Sequence, residues 1–236
     1  MNLAHGDQSD MEVTLLRYTA DPLKIIADSA RITRGKEDSS KSDEYFFELL
    51  YKSGHHSVFE HVNFTFHIKD ISRACSHQLV RFRIGVSFTQ RSQRYTDESD
   101  FSYVTPPSIK QNKEAFEIYQ SGVLKCREAY ESLISSGIPK EDARFILPNG
   151  INTEIIMTMN YREIMHASSL RLCKKAQWEI RRLFFCIKKE VKNVSQIMGD
   201  YLQPNCFHDG FCKEVKPCNI LNYYLKLREK DFIRRC

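Results

Sequence analysis

The chain has 236 residues, of which 42% are hydrophobic and 28% charged. This composition is enough for one sizeable core, and the length indicates one domain or at most two. The formal net charge of +5 favours anionic ligands such as nucleotides without requiring a nucleic-acid polymer. The longest apolar runs fall far short of the ~20 residues that a membrane helix needs, so no transmembrane segment is expected.

Hydrophobic periodicity predicts an irregular alternation of strands and helices. In chain order we predict a strand over 12–18, helices over 20–32 and 43–53, a strand over 61–68, a helix over 72–83, a loop over 84–95, a helix over 113–135, a strand over 152–159, and helices over 161–173 and 177–198. The strand at 61–68 has the clearest pattern, because Val62, Phe64, Phe66 and Ile68 alternate with polar residues. That alternation predicts a half-buried strand.

No internal repeat or low-complexity linker divides the chain. The order of elements predicts an α/β fold of the α+β type, a single layered domain with a mainly antiparallel sheet flanked by helices. We expect this domain to cover residues 11–199. A cysteine-containing, basic C-terminal extension is expected over 200–236.

The first ten residues and the cysteines bear on the compartment. Residues 1–10 (MNLAHGDQSD) have neither the basic start nor the apolar middle of a secretory signal, and Met11 could itself be an initiator. We expect them to be a disordered leader or an expression remnant. Five of the eight cysteines are scattered through helical-looking or terminal segments: Cys75, Cys126, Cys173, Cys186 and Cys236. With no export signal, reduced thiols and a cytoplasmic location are expected.

Polar and basic residues are concentrated between Ser72 and Tyr95. Four arginines follow Gln78, with hydroxyl and amide side chains beside them: Arg81, Arg83, Arg91 and Arg94, with Ser87, Thr89, Gln90, Ser92 and Gln93. Arginine forks bind phosphate through paired hydrogen bonds, and hydroxyls and loop amides complete an oxyanion cradle. The segment therefore favours a phosphorylated ligand. A solvated arginine helix with a polar loop is the alternative.

This segment resembles the signature of the flavin-dependent thymidylate synthase family, an Arg-His-Arg followed by a serine-containing loop that ends in Ser-x-Arg. Three further blocks agree in order: GHHSVFEHVNFTF (54–66), ARFILP (143–148) and MNYREIMHASSLRLCKKAQWEIR (159–181). The resemblance runs from about Glu12 to Val194. It implies reductive methylation of dUMP to dTMP, with methylene tetrahydrofolate as the carbon donor and FAD, recharged by NADPH, as the hydride source.

The resemblance also implies which residues contact the ligands. Those implied for dUMP are Gln78, Arg81, Gln90, Arg91, Ser92, Gln93, Arg94, Arg144 and Arg171. Those implied for the flavin are His55, Ser57, Arg81, Phe82, Arg83, Gln90, Asn160, Tyr161, Arg162 and His166. Arg171 is the catalytic candidate, because a cation can stabilise charge that develops on the uracil ring. Ser92 is interpreted as a positioning residue, with a nucleophile as the weaker alternative.

Family members form homotetramers whose sites are shared between subunits, so the resemblance implies self-association. Asn160 has a second interpretation, since an asparagine after a strand commonly caps the helix that follows. Both roles can hold together.

Three positions depart from the family pattern. Phe82 stands where the signature has its central histidine, and eight residues separate Arg83 from Ser92, one more than the pattern has. His166 stands where many relatives have asparagine. These differences permit a second hypothesis, that of a diverged or inactive relative that keeps the fold.

Two other hypotheses come from the C-terminal part. Cys206, His208, Cys212 and Cys218 are residue types that bind zinc, although their spacing is irregular and free thiols in a surface tail are favoured. The basic stretch 222–236 could indicate a nucleic-acid-binding module. A solvated terminal helix is the commoner explanation, and nucleic acid is not the expected partner.

Overall fold

The computed structural model describes residues 11–34 and 41–222. The predicted leader over 1–10 and all but the first residue of the basic stretch 222–236 lie outside these ranges. None of the helices in the described ranges is long and apolar enough to cross a membrane.

The described elements begin with strand β1 (Glu12–Tyr18), helices α1 (Pro22–Arg34) and α2 (Asp43–Lys52), a 3₁₀ turn (His56–His61), strand β2 (Asn63–Ser72), helix α3 (Arg73–Leu79) and strand β3 (Val86–Gln90). Then come helices α4 (Pro107–Lys110), α5 (Lys113–Ser135) and α6 (Lys140–Ala143), a 3₁₀ turn (Arg144–Ile146) and strand β4 (Asn152–Asn160). The last are helices α7 (Tyr161–Arg171), α8 (Trp178–Val194), α9 (Gln196–Tyr201) and α10 (Asn205–Asp209).

The strands form one four-stranded antiparallel sheet in the order β1-β2-β4-β3, which confirms the predicted fold class. The predicted buried face is also confirmed, because Phe64, Phe66 and Ile68 of β2 and Val62 just before it are all fully buried. β1 and β3 are the edge strands of this sheet.

The strand predicted over 61–68 is displaced to Asn63–Ser72, and three other predictions differ more from the structure. The helix predicted over 72–83 ends at Leu79, where Phe82 N closes a turn onto the Leu79 carbonyl at 3.3 Å. The loop predicted over 84–95 contains β3, a five-residue edge strand with a half-exposed pattern. The helix predicted over 177–198 is broken at Ser195, whose extended backbone (φ −149°, ψ 116°) ends α8 and begins α9.

The described chain divides into two compact units. Unit 1 comprises the chain up to Arg17 together with Thr65–Thr158, and unit 2 comprises Tyr18–Phe64 and the chain from Met159 onwards. Within unit 1, Phe101, Tyr103, Val123 and Ile151 form a buried cluster. The predicted domain boundaries at 11–199 and 200–236 remain a prediction.

Aromatic side chains form the centre of unit 2. Phe47 is fully buried and its ring lies 5.3 Å from that of Phe59, 6.0 Å from Tyr161 and 5.2 Å from Tyr201. The hydroxyl of Tyr161 donates to the Met198 carbonyl at 2.7 Å. The chain around residue 200 is therefore packed into unit 2.

Two helical glycines differ in the space that an added side chain would have. A Cβ added to Gly199 in α9 would lie 2.6 Å from the Cα of Lys192 in α8, whereas one added to Gly122 in α5 would meet no atom within 4 Å. We expect Gly199→Ala to lower the free energy of unfolding by about 1–3 kcal/mol, since backbone must move. Gly122→Ala should raise it by roughly 0.5–1 kcal/mol, because alanine is the better helix former.

Urea denaturation followed by circular dichroism measures both variants against the parent protein. Opposite signs are expected for the two substitutions. Equal stability of the Gly199→Ala variant and the parent would contradict the close contact between α8 and α9.

Candidate functional site

Edge strand β3 of unit 1 leads into the segment from Gln90 to Arg94, which carries predicted arginine and serine contacts. The Gln90 amide donates to the hydroxyls of Ser76 at 2.9 Å and Thr153 at 3.1 Å. Immediately after β3, Arg91 N donates to the Glu154 carbonyl at 3.0 Å. Gln90, predicted to contact both dUMP and flavin, thus uses its amide N–H groups to join α3, β3 and β4.

A tight turn follows at Ser92. Its carbonyl accepts from Tyr95 N at 3.2 Å and Thr96 N at 3.1 Å, and its hydroxyl accepts from Arg94 N at 3.3 Å. In the described part of the chain no histidine hydrogen-bonds to Ser92. The turn therefore favours the positioning role over the nucleophile for this serine, because an activated serine needs a general base.

The two arginines of this turn each meet a carboxylate. Arg91 lies 3.5 Å from Glu98, a carboxylate only 3% exposed, and Arg94 lies 2.8 Å from Glu141 on α6. The Arg94 pair is largely exposed, so it adds little stability. Both arginine side chains stay open to a ligand, and the buried Glu98 carboxylate holds Arg91 near the turn.

The remaining predicted residues of unit 1 differ in exposure. Arg81 and Arg83 are exposed, Gln78 is half-buried, and Phe82 is only 6% exposed. Arg144 is half-buried, with its Nε donating to the Glu141 carbonyl at 3.0 Å.

Gln93 and Arg144 share a cavity with two residues that the sequence analysis missed. The cavity has a volume of about 310 Å³, and Arg73 and His77 contribute to its wall. The two lie four apart on α3, a spacing that puts them on one helix face. That spacing was the available signal, but neither residue belongs to the signature's Arg-x-Arg or Ser-x-Arg.

In unit 2, Asn160 caps α7, as its second interpretation predicted. Its Oδ1 accepts from Glu163 N at 2.9 Å. Arg171 is the last residue of the helix and is half-buried. Ile164 and Ala167, which lie between these two residues, are fully buried. At ~1.5 Å per residue the two ends are ~16 Å apart.

The side chains in the first part of α7 are partly buried in the core and partly exposed. Tyr161 is fully buried, and this burial raises the pKa of its phenol well above the ordinary value. Arg162 and His166 are exposed, with Arg162 paired to Glu60. Burial raises the pKa of Glu163, against the opposing effect of His166 and Arg162. Any contact of Tyr161 with a ligand would therefore come from its backbone.

The two predicted flavin neighbours that precede β2 lie at the surface of unit 2. His55 and Ser57 are exposed and stand at the start of the 3₁₀ turn His56–His61. Their imidazole and hydroxyl groups are open to a polar ligand.

His208, one of the four zinc candidates, makes its hydrogen bonds within unit 2. The Tyr51 hydroxyl donates to Nδ1 of His208, and Nε2 of His208 donates to the Gln203 carbonyl at 3.2 Å. Within 11–34 and 41–222, no group of three His, Cys, Asp or Glu side chains could hold a metal ion. His208 instead joins α10 to α2.

The cysteines among these candidates line an apolar cavity of about 370 Å³ in unit 2. Cys206, Cys212 and Cys218 contribute to its wall, together with Cys173, and all four thiols are free. Burial and, after it, the three neighbouring thiols raise the pKa of Cys206. The Cys206 thiol is therefore mainly protonated near neutral pH, which disfavours nucleophilic chemistry at this residue.

Comparison with known proteins gives concordant results. A family model described as thymidylate synthase complementing protein matches residues 14–195. The flavin-dependent thymidylate synthase of Geobacter sulfurreducens is 42% identical, with 86% of this chain and 91% of that protein covered. The flavin-dependent thymidylate synthase of Saccharolobus solfataricus is 39% identical, with 96% of this chain and 90% of that protein covered.

A solved structure has the same fold. The UMP/dUMP methylase PolB from Streptomyces cacaoi, bound with 5-Br dUMP, matches with a TM-score of 0.73, covering 82% of this chain and 94% of that one, at 23% identity. At that identity the match supports the fold alone. The family model and the curated relatives cover most of the chain, and it therefore belongs to the flavin-dependent thymidylate synthase family.

Proposed function

We propose that this protein methylates dUMP to dTMP, with methylene tetrahydrofolate as the carbon donor and FAD, recharged by NADPH, as the hydride source. The observation that carries the proposal is the arrangement of unit 1, where the turn after β3 carries Arg91, Ser92, Gln93 and Arg94, and Gln93 lines a cavity with Arg144. Guanidinium, amide and hydroxyl donors are the chemistry that binds a nucleoside monophosphate.

Within unit 1 we assign the nucleotide contacts to Gln78, Arg81 and the residues from Gln90 to Arg94, together with Arg144. Gln90 would act mainly through its carbonyl oxygen, because its amide nitrogen is engaged with Ser76 and Thr153. Ser92 would position the ligand through its turn rather than attack it.

Arg171 in unit 2 is the proposed catalytic residue. A guanidinium placed at the uracil ring would stabilise negative charge as it develops there, a stabilisation that grows where water is excluded. The half-buried position of Arg171 at the end of α7 suits this role, because it limits hydration of the cation.

Each unit, taken by itself, offers side chains that suit FAD. Exposed arginine side chains suit its diphosphate, Arg81 and Arg83 in unit 1 and Arg162 in unit 2, and His166 in unit 2 is a further exposed hydrogen-bonding side chain. His55, Ser57 and Asn160 add hydrogen-bonding groups, while buried Phe82 and Tyr161 would support the neighbouring backbone. When bound, FAD would supply the redox chemistry, and the protein would supply orientation and electrostatics.

The proposed location is the cytoplasm and the proposed assembly is a homotetramer, as in the family. A nucleic-acid-binding module remains the second candidate on composition alone, and it predicts steeply salt-dependent oligonucleotide binding without bound flavin.

The reaction is tested by incubating the protein with dUMP, methylene tetrahydrofolate and NADPH, with and without added FAD, and identifying the product by chromatography. We expect dTMP to form only when FAD is present. A protein that binds flavin and dUMP but forms no dTMP would identify a diverged relative instead.

Arg171→Lys should lower kcat about 100-fold or more, by analogy with the removal of one preorganised transition-state donor. The matched control is Arg181→Lys, since Arg181 is also a half-buried arginine of unit 2 and donates to the Lys174 carbonyl at 2.8 Å. Steady-state kinetics of both variants distinguish the two positions. Equal activity of the two variants would remove Arg171 from catalysis.

Phe82→His restores the histidine of the family signature. We expect no gain in dTMP formation and a loss of about 1–3 kcal/mol in unfolding free energy, because the Phe82 side chain is buried and an imidazole there loses solvation. Rate and urea stability are measured on the same preparation. A large gain in rate would show instead that phenylalanine impairs the site.

A further inference from the structure

The proposed reaction does not use the four thiols at the wall of the 370 Å³ cavity of unit 2. Cys173 follows α7, Cys206 lies in α10, and Cys212 and Cys218 follow α10. All four thiols are free and half-buried. They form a cluster of oxidisable groups, and disulfides that form among such groups in a reducing compartment are usually transient and redox-sensing.

Cys206 is influenced by all three of the other thiols. Burial raises its pKa, and the nearby thiols of Cys212, Cys173 and Cys218, in that order, raise it further. Thiolates affect one another in this way only at short range. The order makes Cys212 the neighbour with the largest effect, and Cys212 is therefore the preferred partner of Cys206.

The backbone explains how these two cysteines meet. Helix α10 ends at Gly210, whose left-handed backbone (φ 74°, ψ 1°) reverses the chain. A glycine in this conformation brings the residues that follow it back over the last turn of the helix. Cys212 therefore returns towards Cys206, although the end of the helix lies between them in the sequence.

The wall of the cavity carries more positive than negative side chains. Four lysines and two carboxylates contribute to it: Lys174, Lys175, Lys188, Lys213, Asp209 and Glu214. Lys213 pairs with Asp209 at 2.7 Å, and Lys188 donates to the Leu202 carbonyl at 2.7 Å, while Lys174 and Lys175 are exposed. Electropositive, partly exposed surroundings are typical of reactive cysteines, and they attract a reagent that carries carboxylates.

We propose that Cys206 and Cys212 form a redox-active dithiol, which a small anionic disulfide of the glutathione type oxidises to an internal disulfide. This site is separate from the proposed synthesis of dTMP. Its reaction is a thiol–disulfide exchange in two steps.

In the first step the Cys212 thiolate attacks one sulfur of the external disulfide, whose S–S bond breaks and whose other half leaves as a thiolate. Cys206 reacts second, because its thiol is mainly protonated near neutral pH. It loses its proton to solvent and attacks the Cys212 sulfur of the mixed disulfide, which releases the second external thiolate. Two protein thiols are thereby oxidised to one disulfide, and one external disulfide is reduced to two thiols.

A single tryptic peptide reports this disulfide. Residues 193–213 contain no lysine or arginine before Lys213, so trypsin releases Cys206 and Cys212 together and without any other cysteine. The full-length protein is incubated with oxidised glutathione, the remaining thiols are alkylated, and the digest is analysed by mass spectrometry. We expect this peptide to lose two hydrogen atoms and to escape alkylation, and to regain both hydrogens after treatment with dithiothreitol.

Serine substitutions separate the roles of the thiols. Cys212→Ser should abolish the disulfide, whereas Cys206→Ser should keep glutathione on Cys212 as a stable mixed disulfide, because the second thiol is gone. Cys173→Ser and Cys218→Ser are the matched controls, since both cysteines line the same cavity and are half-buried. They should leave the yield of the internal disulfide unchanged.

Two further comparisons test the fold and the charge of the reagent. The effective concentration of the dithiol should be about 10-fold or more lower in urea, because the unfolded chain no longer reverses after α10. Cystamine, a cationic disulfide, should react more slowly than oxidised glutathione at low ionic strength.

The parent protein alone decides the main point, so no variant has to fold. A fully reduced peptide 193–213 would overturn the proposal, and so would a disulfide that joins Cys206 to Cys173 or Cys218, or equal effective concentrations in buffer and urea. Stoichiometric zinc in protein purified without added metal would also overturn it, because zinc-bound thiolates leave no free dithiol. Equal rates with cystamine and oxidised glutathione would overturn the anionic class of the oxidant.

Discussion

The pairing of β3 with β4 is the constraint on which the nucleotide side of the molecule depends. The sequence from Gln90 to Arg94 consists of arginine, amide and hydroxyl side chains, and a segment of that composition has no apolar side chain with which to fix itself. The edge strand supplies the missing order, because the Gln90 amide and Arg91 N bind side chains and backbone of α3 and β4. The residues after Gln90 therefore leave the edge of the sheet at a fixed position.

Fixing that segment concentrates positive charge in unit 1. Glu98 and Glu141 balance part of this charge, and they differ in how strongly solvent weakens their ion pairs. Glu141 is about half exposed and its pair with Arg94 is weakened by solvent, whereas Glu98 is 3% exposed and remains close to Arg91. The buried carboxylate holds Arg91 near the turn before a ligand arrives, and the surplus charge makes an anion the complementary partner.

The sequence was most informative where one physical signal dominated. The bounds of β1 and α5 were predicted to the residue, and β2 showed its buried face, because apolar periodicity decided each of them. The cap at Asn160 followed from residue type alone. In the candidate site, the motifs selected residues such as Gln93 and Arg144, which the structure brings to one cavity.

Tertiary contacts decided the features that the sequence did not reveal. β3 alternates half-buried Val86 and Phe88 with exposed Ser87 and Thr89, but the surrounding arginines obscured this short pattern. His208 has the chemistry of a zinc ligand, yet its Nδ1 accepts a hydrogen bond from Tyr51, which lies in a helix more than 150 positions earlier. No local spacing encodes such a partner. Arg73 was missed for the same reason, because its importance comes from the Arg91 carbonyl and the neighbouring guanidinium groups rather than from its sequence neighbours.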